Sequence, residues 1–116
     1  MTDMADAGAH NVEAIAQRLS QQATAGQFRV TAHAHQEMVE DDVQLDDVVD
    51  VLRRATVIEN YPDHRRGPCC LVCGEDHSGR HLHVVCATAL DLAVIITVYK
   101  PTLPKWETPF RRGRKE

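Results

Sequence analysis

A histidine and a glutamate lie four residues apart in the first third of the chain. On a helix this spacing brings the two side chains together on one face, where they could carry out acid–base chemistry. Residues 31–37 read Thr-Ala-His-Ala-His-Gln-Glu, and a helix that begins here places His33 beside Glu37. A carboxylate orients a neighbouring imidazole and raises its pKa toward neutrality, as a general acid or base requires. The alternative is that His33 only caps or packs at the end of the helix.

A basic loop supplies a second candidate site, in this case for binding phosphate. Residues 64–67 read His-Arg-Arg-Gly, and Arg80 lies across a predicted hairpin from them. Arginine offers a planar fork of donors that fits a phosphate group, so Arg65 and Arg66 beside an open sheet face would suit a scissile phosphodiester. The alternative is an ordinary charged turn at the surface.

Four cysteines form the third candidate site, because Cys70 and Cys73 have the CxxC spacing of zinc ligands and histidines lie nearby in sequence. The pair falls within a predicted strand, however, and residues three apart on a strand point to opposite faces of the sheet. No second CxxC pair follows. We therefore favour cysteines that pack as small hydrophobic residues, with no metal and no other cofactor, over a zinc site.

The elements that must position these residues follow from the hydrophobic pattern. Its period is helical in the first half of the chain and alternating in the second half. Helices followed by antiparallel strands predict an α+β fold, with N-terminal helices packed on one face of a four-stranded, mostly antiparallel meander sheet. The predicted helices are residues 12–25, 32–39 and 45–54, the predicted strands are residues 56–61, 69–74, 80–87 and 93–99, and residues 28–31 are a short strand candidate.

A meander sheet that is covered by helices on one face leaves its other face open. If Leu82 and Val84 point to the helices, alternation places His83 on the open face. A shift of one residue in register would invert this assignment. The predicted open face holds Glu59, Tyr61, His83, Thr97 and Tyr99.

The chain has 116 residues, 43% of them hydrophobic and 26% charged, which is the size and composition of one folded domain. We place this domain at residues 12–110, between a flexible N-terminal tail at residues 1–11 and a basic C-terminal tail at residues 111–116. No apolar run is long enough to cross a membrane, and the N-terminus does not resemble a signal peptide. Four cysteines in such a chain predict reduced thiols and a cytoplasmic location.

The two halves of the chain carry opposite charge. Residues 1–60 contain 4 basic and 11 acidic side chains, whereas residues 61–116 contain 9 basic and 6 acidic ones. If the basic half is a binding surface, its partner is a polyanion such as RNA, or an acidic protein. The alternative is that both halves are simply solvated.

Short motifs in a fixed order, from about residue 28 to residue 112, resemble a bacterial family of unknown function numbered 4258. They read Phe28-Arg29-Val30-Thr31-x-His33-Ala34, Val57-Ile58-Glu59-Asn60-Tyr61-Pro62, Gly79-Arg80-x-Leu82-His83-Val84-Val85 and Ile95-Ile96-Thr97-Val98-Tyr99-x-Pro101, followed by Trp106. The family is similar to small RelE-like and BrnT-like toxin ribonucleases, so the resemblance implies a RelE/barnase-like fold. It also implies RNA as the substrate, cleavage without a metal, and a small antitoxin partner such as a zinc-finger protein.

The resemblance also bears on the catalytic residues. Many members carry arginine one turn after the histidine and again near the helix end, where this chain has Glu37 and Asp41. RNA cleavage needs a base for the 2′-hydroxyl, cations for the phosphate and an acid for the leaving oxygen. We expect a histidine to act as base or acid, arginines to hold the phosphate, and a tyrosine to stack on a base or donate a proton. The predicted catalytic residues are His33, Glu37, Arg80, His83 and Tyr99, and the predicted substrate-binding residues are Arg65, Arg66, Arg111 and Arg112.

The leading hypothesis is therefore the toxin component of a toxin–antitoxin pair, a metal-independent endoribonuclease. A first alternative is a catalytically inactive module that binds a partner protein, which the carboxylates of Glu37 and Asp41 motivate. A second alternative is a small zinc-binding domain that uses Cys70, Cys73 and nearby histidines.

Overall fold

Three helices precede most of the strands in the computed structural model, which describes residues 11–54, 56–88, 91–102 and 105–113. None of the helices in these ranges is long and apolar enough to cross a membrane. The helices are α1 (Val12–Thr24), α2 (Ala32–Glu40) and α3 (Leu45–Arg53), and the strands are β1 (Phe28–Val30), β2 (Thr56–Tyr61), β3 (Cys69–Glu75), β4 (His81–Ala87), β5 (Ala93–Tyr99), β6 (Trp106–Thr108) and β7 (Arg111–Arg112).

A polar side chain satisfies a backbone N–H group at the start of each helix. The side chain of Asn11 accepts a hydrogen bond from the backbone of α1 at 3.1 Å, and the side chain of Thr31 does the same for α2. At α3, Asp47 in the first turn accepts a hydrogen bond from the backbone N of Gln44 at 2.8 Å, as in a capping box. These caps explain why the predicted helix starts agree with the structure.

The main sheet has five strands in the order β1-β5-β4-β3-β2. The predicted α+β class is confirmed, and strands β2 to β5 form the predicted antiparallel meander. The prediction of a four-stranded sheet is wrong, because β1 adds a strand that is parallel to β5, with Val30 opposite Ile95. A parallel neighbour lies far away in sequence and leaves no local pattern, so the partner of β1 was not predictable.

The helices cover one face of this sheet and bury an aliphatic core. Ile15 and Leu19 of α1, and Val48, Val51 and Leu52 of α3, are at most 1% exposed. Removing such apolar surface from water is the main stabilising contribution to a fold of this kind. The sheet residues of this core are Cys70, Val72, Leu82, Val84, Cys86, Ala93, Ile95 and Val98.

Beyond β5 the chain returns as the hairpin of β6 and β7, which covers part of the other sheet face. Trp106 lies opposite Arg112 in this hairpin and is almost completely buried. Arg111 and Arg112 therefore form a strand and do not lie in a tail, which moves the end of the folded part beyond the predicted residue 110. The rest of the predicted tails, residues 1–10 and 114–116, lies outside the described residues.

Candidate functional site

His83 lies at the centre of the open sheet face, beneath the C-terminal hairpin. It is opposite Tyr99 in the β4–β5 pair, and its ring packs edge-to-face on Tyr99 and Trp106 with centroid distances of 5.1 and 4.3 Å. The residue is 0% exposed. The centre of the face is therefore a buried aromatic cluster, with an imidazole enclosed between the sheet and the hairpin.

Both ring nitrogens of His83 have hydrogen-bond partners, which determines the tautomer. The Nε2 atom is 2.5 Å from the carbonyl oxygen of Pro109, and because a carbonyl only accepts, Nε2 carries the proton. The Nδ1 atom, 3.1 Å from the hydroxyl oxygen of Tyr99, then accepts a hydrogen bond from that hydroxyl. Burial lowers the pKa of His83, although the Pro109 carbonyl opposes this shift. The ring is thus neutral, and both of its nitrogens are engaged within the protein.

An exposed ion pair adjoins this cluster through Trp106. Arg112 of β7 binds Glu59 of β2 with two hydrogen bonds, from Nε to Oε2 at 2.6 Å and from Nη2 to Oε1 at 2.7 Å. The hydroxyl of Tyr61 donates to the same carboxylate. The guanidinium also lies 4.7 Å from the ring centroid of Trp106. These contacts tie the hairpin to the β2 edge of the sheet.

The ion pair sets the protonation of its members. Hydrogen bonds from Arg112 lower the pKa of Glu59, so the carboxyl group is ionised at neutral pH. Burial and the neighbouring Glu59 carboxylate raise the pKa of Tyr61, and burial raises the pKa of Tyr99. The exposed part of this region therefore presents a carboxylate, a guanidinium and the protonated phenol of Tyr61, which are groups that proton transfer and anion binding use.

The open face was largely predictable, but the residues that cover it were not. Glu59, Tyr61, His83 and Tyr99 lie on one face, as the alternation predicts. The carbonyl of Pro109 and the indole of Trp106 were missed as partners of His83. The available signal was that the chain has a single tryptophan and few other aromatic residues.

The hairpin leaves one end of the open face uncovered, and a cavity of 240 Å³ lies there. The basic loop between β2 and β3 bounds this cavity, and its His64 and Arg66 are exposed. The backbone N of Arg66 donates a hydrogen bond to Nδ1 of His64 at 3.2 Å, which orders the loop. The lining residues are His64, Arg66, Gly67, Pro68, Cys69, Val85, Ala87 and Ile96.

Residues 30–100 match the model of a family described as a domain of unknown function (DUF4258). The match covers more than half of the 116 residues. This chain belongs to the DUF4258 family. The resemblance seen in the sequence is thereby confirmed, although the matched range ends before the hairpin that carries Trp106 and Arg112. Comparisons with curated proteins and with solved structures found no match.

In this DUF4258 domain Arg80 lies on the helix side of the sheet and not on the open face. Its Nε is 2.7 Å from Oδ2 of Asp76, and its Nη2 is 3.3 Å from Oδ2 of Asp47 on α3. Asp76 also accepts hydrogen bonds from Ser78 in the same turn. Although burial opposes the change, hydrogen bonds from Arg80 and Ser78 lower the pKa of Asp76. Arg80 therefore fixes the β3–β4 turn to α3, and the structure does not bring it to His83.

His33 and Glu37 pair as the helical spacing predicts, with 3.3 Å between Nε2 and Oε1. The same glutamate oxygen accepts a hydrogen bond from the backbone N of Val98 at 3.0 Å. Val98 lies in the part of β5 that the short strand β1 does not reach. The Glu37 carboxylate therefore satisfies a backbone N–H group that has no strand partner among the described residues at this edge of the sheet. The pKa of Tyr99 is raised by burial and, to a smaller degree, by the charge of Glu37. His33 itself is highly exposed and contacts Glu37 rather than His83.

The cysteines lie on different faces of β3, as the strand alternation predicts. Cys70 is opposite Cys86 in the core beneath the helices, whereas Cys73 is opposite His83 on the other face. Burial raises the pKa of Cys70 to about 12 and that of Cys73 to about 11, so both are thiols at neutral pH. Across the four described ranges, no three His, Cys, Asp or Glu side chains are grouped so as to hold a metal ion.

Proposed function

We propose that the protein binds RNA across the open sheet face and cleaves it without a metal ion, as a toxin-like subunit. The observation that carries this proposal is the meeting of Glu59, Tyr61 and Arg112 beside the cavity under the basic loop. Tyr61 lies opposite Cys69, which lines the cavity, so the ion pair and the cavity are neighbours on one surface. A carboxylate and a guanidinium next to a basic-rimmed cavity suit a phosphodiester substrate.

These groups match the three requirements of RNA cleavage. In our scheme the Glu59 carboxylate takes the proton of the 2′-hydroxyl, whose oxygen bonds to phosphorus while the bond from phosphorus to the 5′-oxygen breaks. Arg112 stabilises the negative charge that develops on the phosphate oxygens. Tyr61 donates a proton to the leaving 5′-oxygen. The products are a 2′,3′-cyclic phosphate on one fragment and a 5′-hydroxyl on the other.

In this scheme the predicted residues take new roles. His83 and Tyr99 hold the hairpin in place and thereby position Arg112, so they act through another residue and do not touch the substrate. Exposed arginines of the basic loop and of β7 contact the flanking phosphates, and RNA affinity therefore falls steeply with salt concentration. These cations are Arg65, Arg66 and Arg111.

A second candidate function is RNA binding without catalysis. The sequence predicts His83, Glu37 and Arg80 as catalytic residues, but His83 is buried and the other two have partners within the protein. Residues that are engaged in this way are not available to a substrate, which favours binding without catalysis. Under either candidate we propose a RelE-like relationship, a cytoplasmic location and a small antitoxin protein, of the zinc-finger type, as the partner that the family resemblance implies.

Incubation of the purified protein with mixed RNA in EDTA separates the two candidates. We expect the wild type to cut RNA and Glu59→Gln to cut it at least about 100-fold more slowly, which is a typical contribution of a general base. Glu13→Gln is the matched control, because it removes an exposed carboxylate at the start of α1. RNA that is bound but uncut by the wild type would favour the binding module. A wild type that neither binds nor cuts RNA would refute both RNA-directed proposals.

A further inference from the structure

A register shift between β4 and β5 forms one wall of the cavity under the basic loop. Val85 is opposite Thr97, but Cys86 is opposite Ile95, so Ile96 is an extra residue in β5. A β-bulge redirects a side chain, and Ile96 lines the cavity while its neighbour Ile95 is completely buried in the core. The irregular strand thus adds an apolar side chain to the open face.

Small residues around the cavity keep it open. Ala87 and Cys69 face each other across the β3–β4 pair, and both line the cavity. Gly67 in the loop has a φ of +112°, a conformation that other residues adopt only with strain. Pro68 follows it and limits the loop further. The walls are therefore mainly apolar, and a larger side chain at Ala87 would occupy the space.

The rim of the cavity is cationic and carries hydrogen-bond donors. Because Nδ1 of His64 accepts a hydrogen bond from the backbone N of Arg66, Nε2 carries a proton that it can donate. The guanidinium of Arg66 has no ion-pair partner in the part of the chain that the structure describes. An apolar chamber with donors at its mouth fits a ligand with a flat apolar body and an anionic end.

We propose that this cavity binds a single nucleobase of RNA, whose phosphate is held by His64 and Arg66; this inference rests on the proposed function. A volume of 240 Å³ is below the roughly 300–1,000 Å³ of sites for drug-sized ligands, and it suits one base. Tyr61 is opposite Cys69, which lines the cavity, so the seated base lies next to the residue that protonates the leaving oxygen. The seated base flanks the phosphate that meets Glu59 and Arg112, so the cavity selects the nucleotide at which RNA is cut.

Filling the cavity tests this proposal. Ala87→Leu places a larger side chain in the chamber, and Ala32→Leu makes the same change at an exposed position of α2. We expect at least one of AMP, GMP, CMP and UMP to bind the wild type and Ala32→Leu in a calorimetric titration. Ala87→Leu should bind the same nucleotide at least about tenfold more weakly, because the larger side chain occupies the space of the base. Thermal melting of each variant reports whether it is folded.

A loop substitution tests the rim without disturbing the sheet. Arg66→Gln should weaken the binding of the nucleotide but not that of the corresponding nucleoside, which lacks the phosphate. Arg29→Gln, an exposed change on β1, should leave both affinities unchanged. The cavity inference would be overturned if Ala87→Leu bound the nucleotide as tightly as the wild type does. It would also be overturned if the wild type cut RNA but bound no mononucleotide. Neither result would count against RNA cleavage. Nucleotide binding without RNA binding or cleavage would instead support the cavity and overturn the proposed function.

Discussion

Replacing His83 by alanine is expected to destabilise the fold, because its ring connects the sheet to the hairpin. The substitution leaves the Pro109 carbonyl and the Tyr99 hydroxyl without their partner, and a typical hydrogen bond contributes about 1 kcal/mol. It also removes a completely buried ring that contacts Trp106, and the resulting void costs about 2 kcal/mol. We therefore expect His83→Ala to lower the free energy of unfolding by about 3–4 kcal/mol.

Urea denaturation followed by tryptophan fluorescence measures this change, since Trp106 is the single tryptophan and is 3% exposed. His33→Ala is the matched control, because the side chain of His33 is 67% exposed, and it should change the free energy of unfolding by at most about 0.5 kcal/mol. A His83→Ala protein within about 1 kcal/mol of the wild type, with the same emission spectrum, would refute the structural role of His83.

Three further predictions concern titration, a buried carboxylate and the thiols. Because burial lowers the pKa of His83, the imidazole of the unfolded chain takes up a proton at a higher pH than that of the folded chain. The free energy of unfolding, measured by urea denaturation, should therefore fall as the pH drops below about 6.5. If the wild type lost no more stability over this pH range than the His83→Phe protein, the prediction would be contradicted. Asp76→Ala removes hydrogen bonds to Ser78 and Arg80 and should lower the free energy of unfolding by about 2–4 kcal/mol, whereas the exposed Glu75→Ala should change it by at most about 0.5 kcal/mol. The four cysteines are buried, so a thiol reagent should label the folded protein much more slowly than the urea-unfolded chain; equal rates would show that the thiols are accessible.

Local patterns explain the parts of the fold and of the site that were predictable. Asn11 and Thr31 are polar residues placed directly before apolar helical periods, and both cap helices at the predicted positions. His83 alternates with Leu82 and Val84, and because side chains on a strand alternate between faces, this placed it on the open face. The same alternation separated the two cysteines of the CxxC pair.

The features that were not predictable depend on partners far apart in sequence. Arg112 binds Glu59 across 53 residues, and no local pattern in the basic C-terminal segment indicates this pairing. Arg80 was predicted to bind phosphate. Its nearest partner, Asp76, lies only four residues away, but the contact that fixes it on the helix side is with Asp47 of α3, 33 residues away. In both cases an arginine that looks free in the sequence is engaged once the topology brings an acidic residue to it. Charge alone therefore does not distinguish a substrate-binding arginine from a structural one.

Analysis of the RNA ends that the protein produces in EDTA decides whether the open face cleaves RNA by the proposed route. We expect fragments that end in a 2′,3′-cyclic phosphate and begin with a 5′-hydroxyl. Glu59→Gln should form them at least about 100-fold more slowly, and Arg112→Lys, which cannot make the paired hydrogen bonds, should also be slower. Fragments with 3′-hydroxyl ends, or equal rates for the wild type and a folded Glu59→Gln protein, would contradict the claim that this face cleaves RNA.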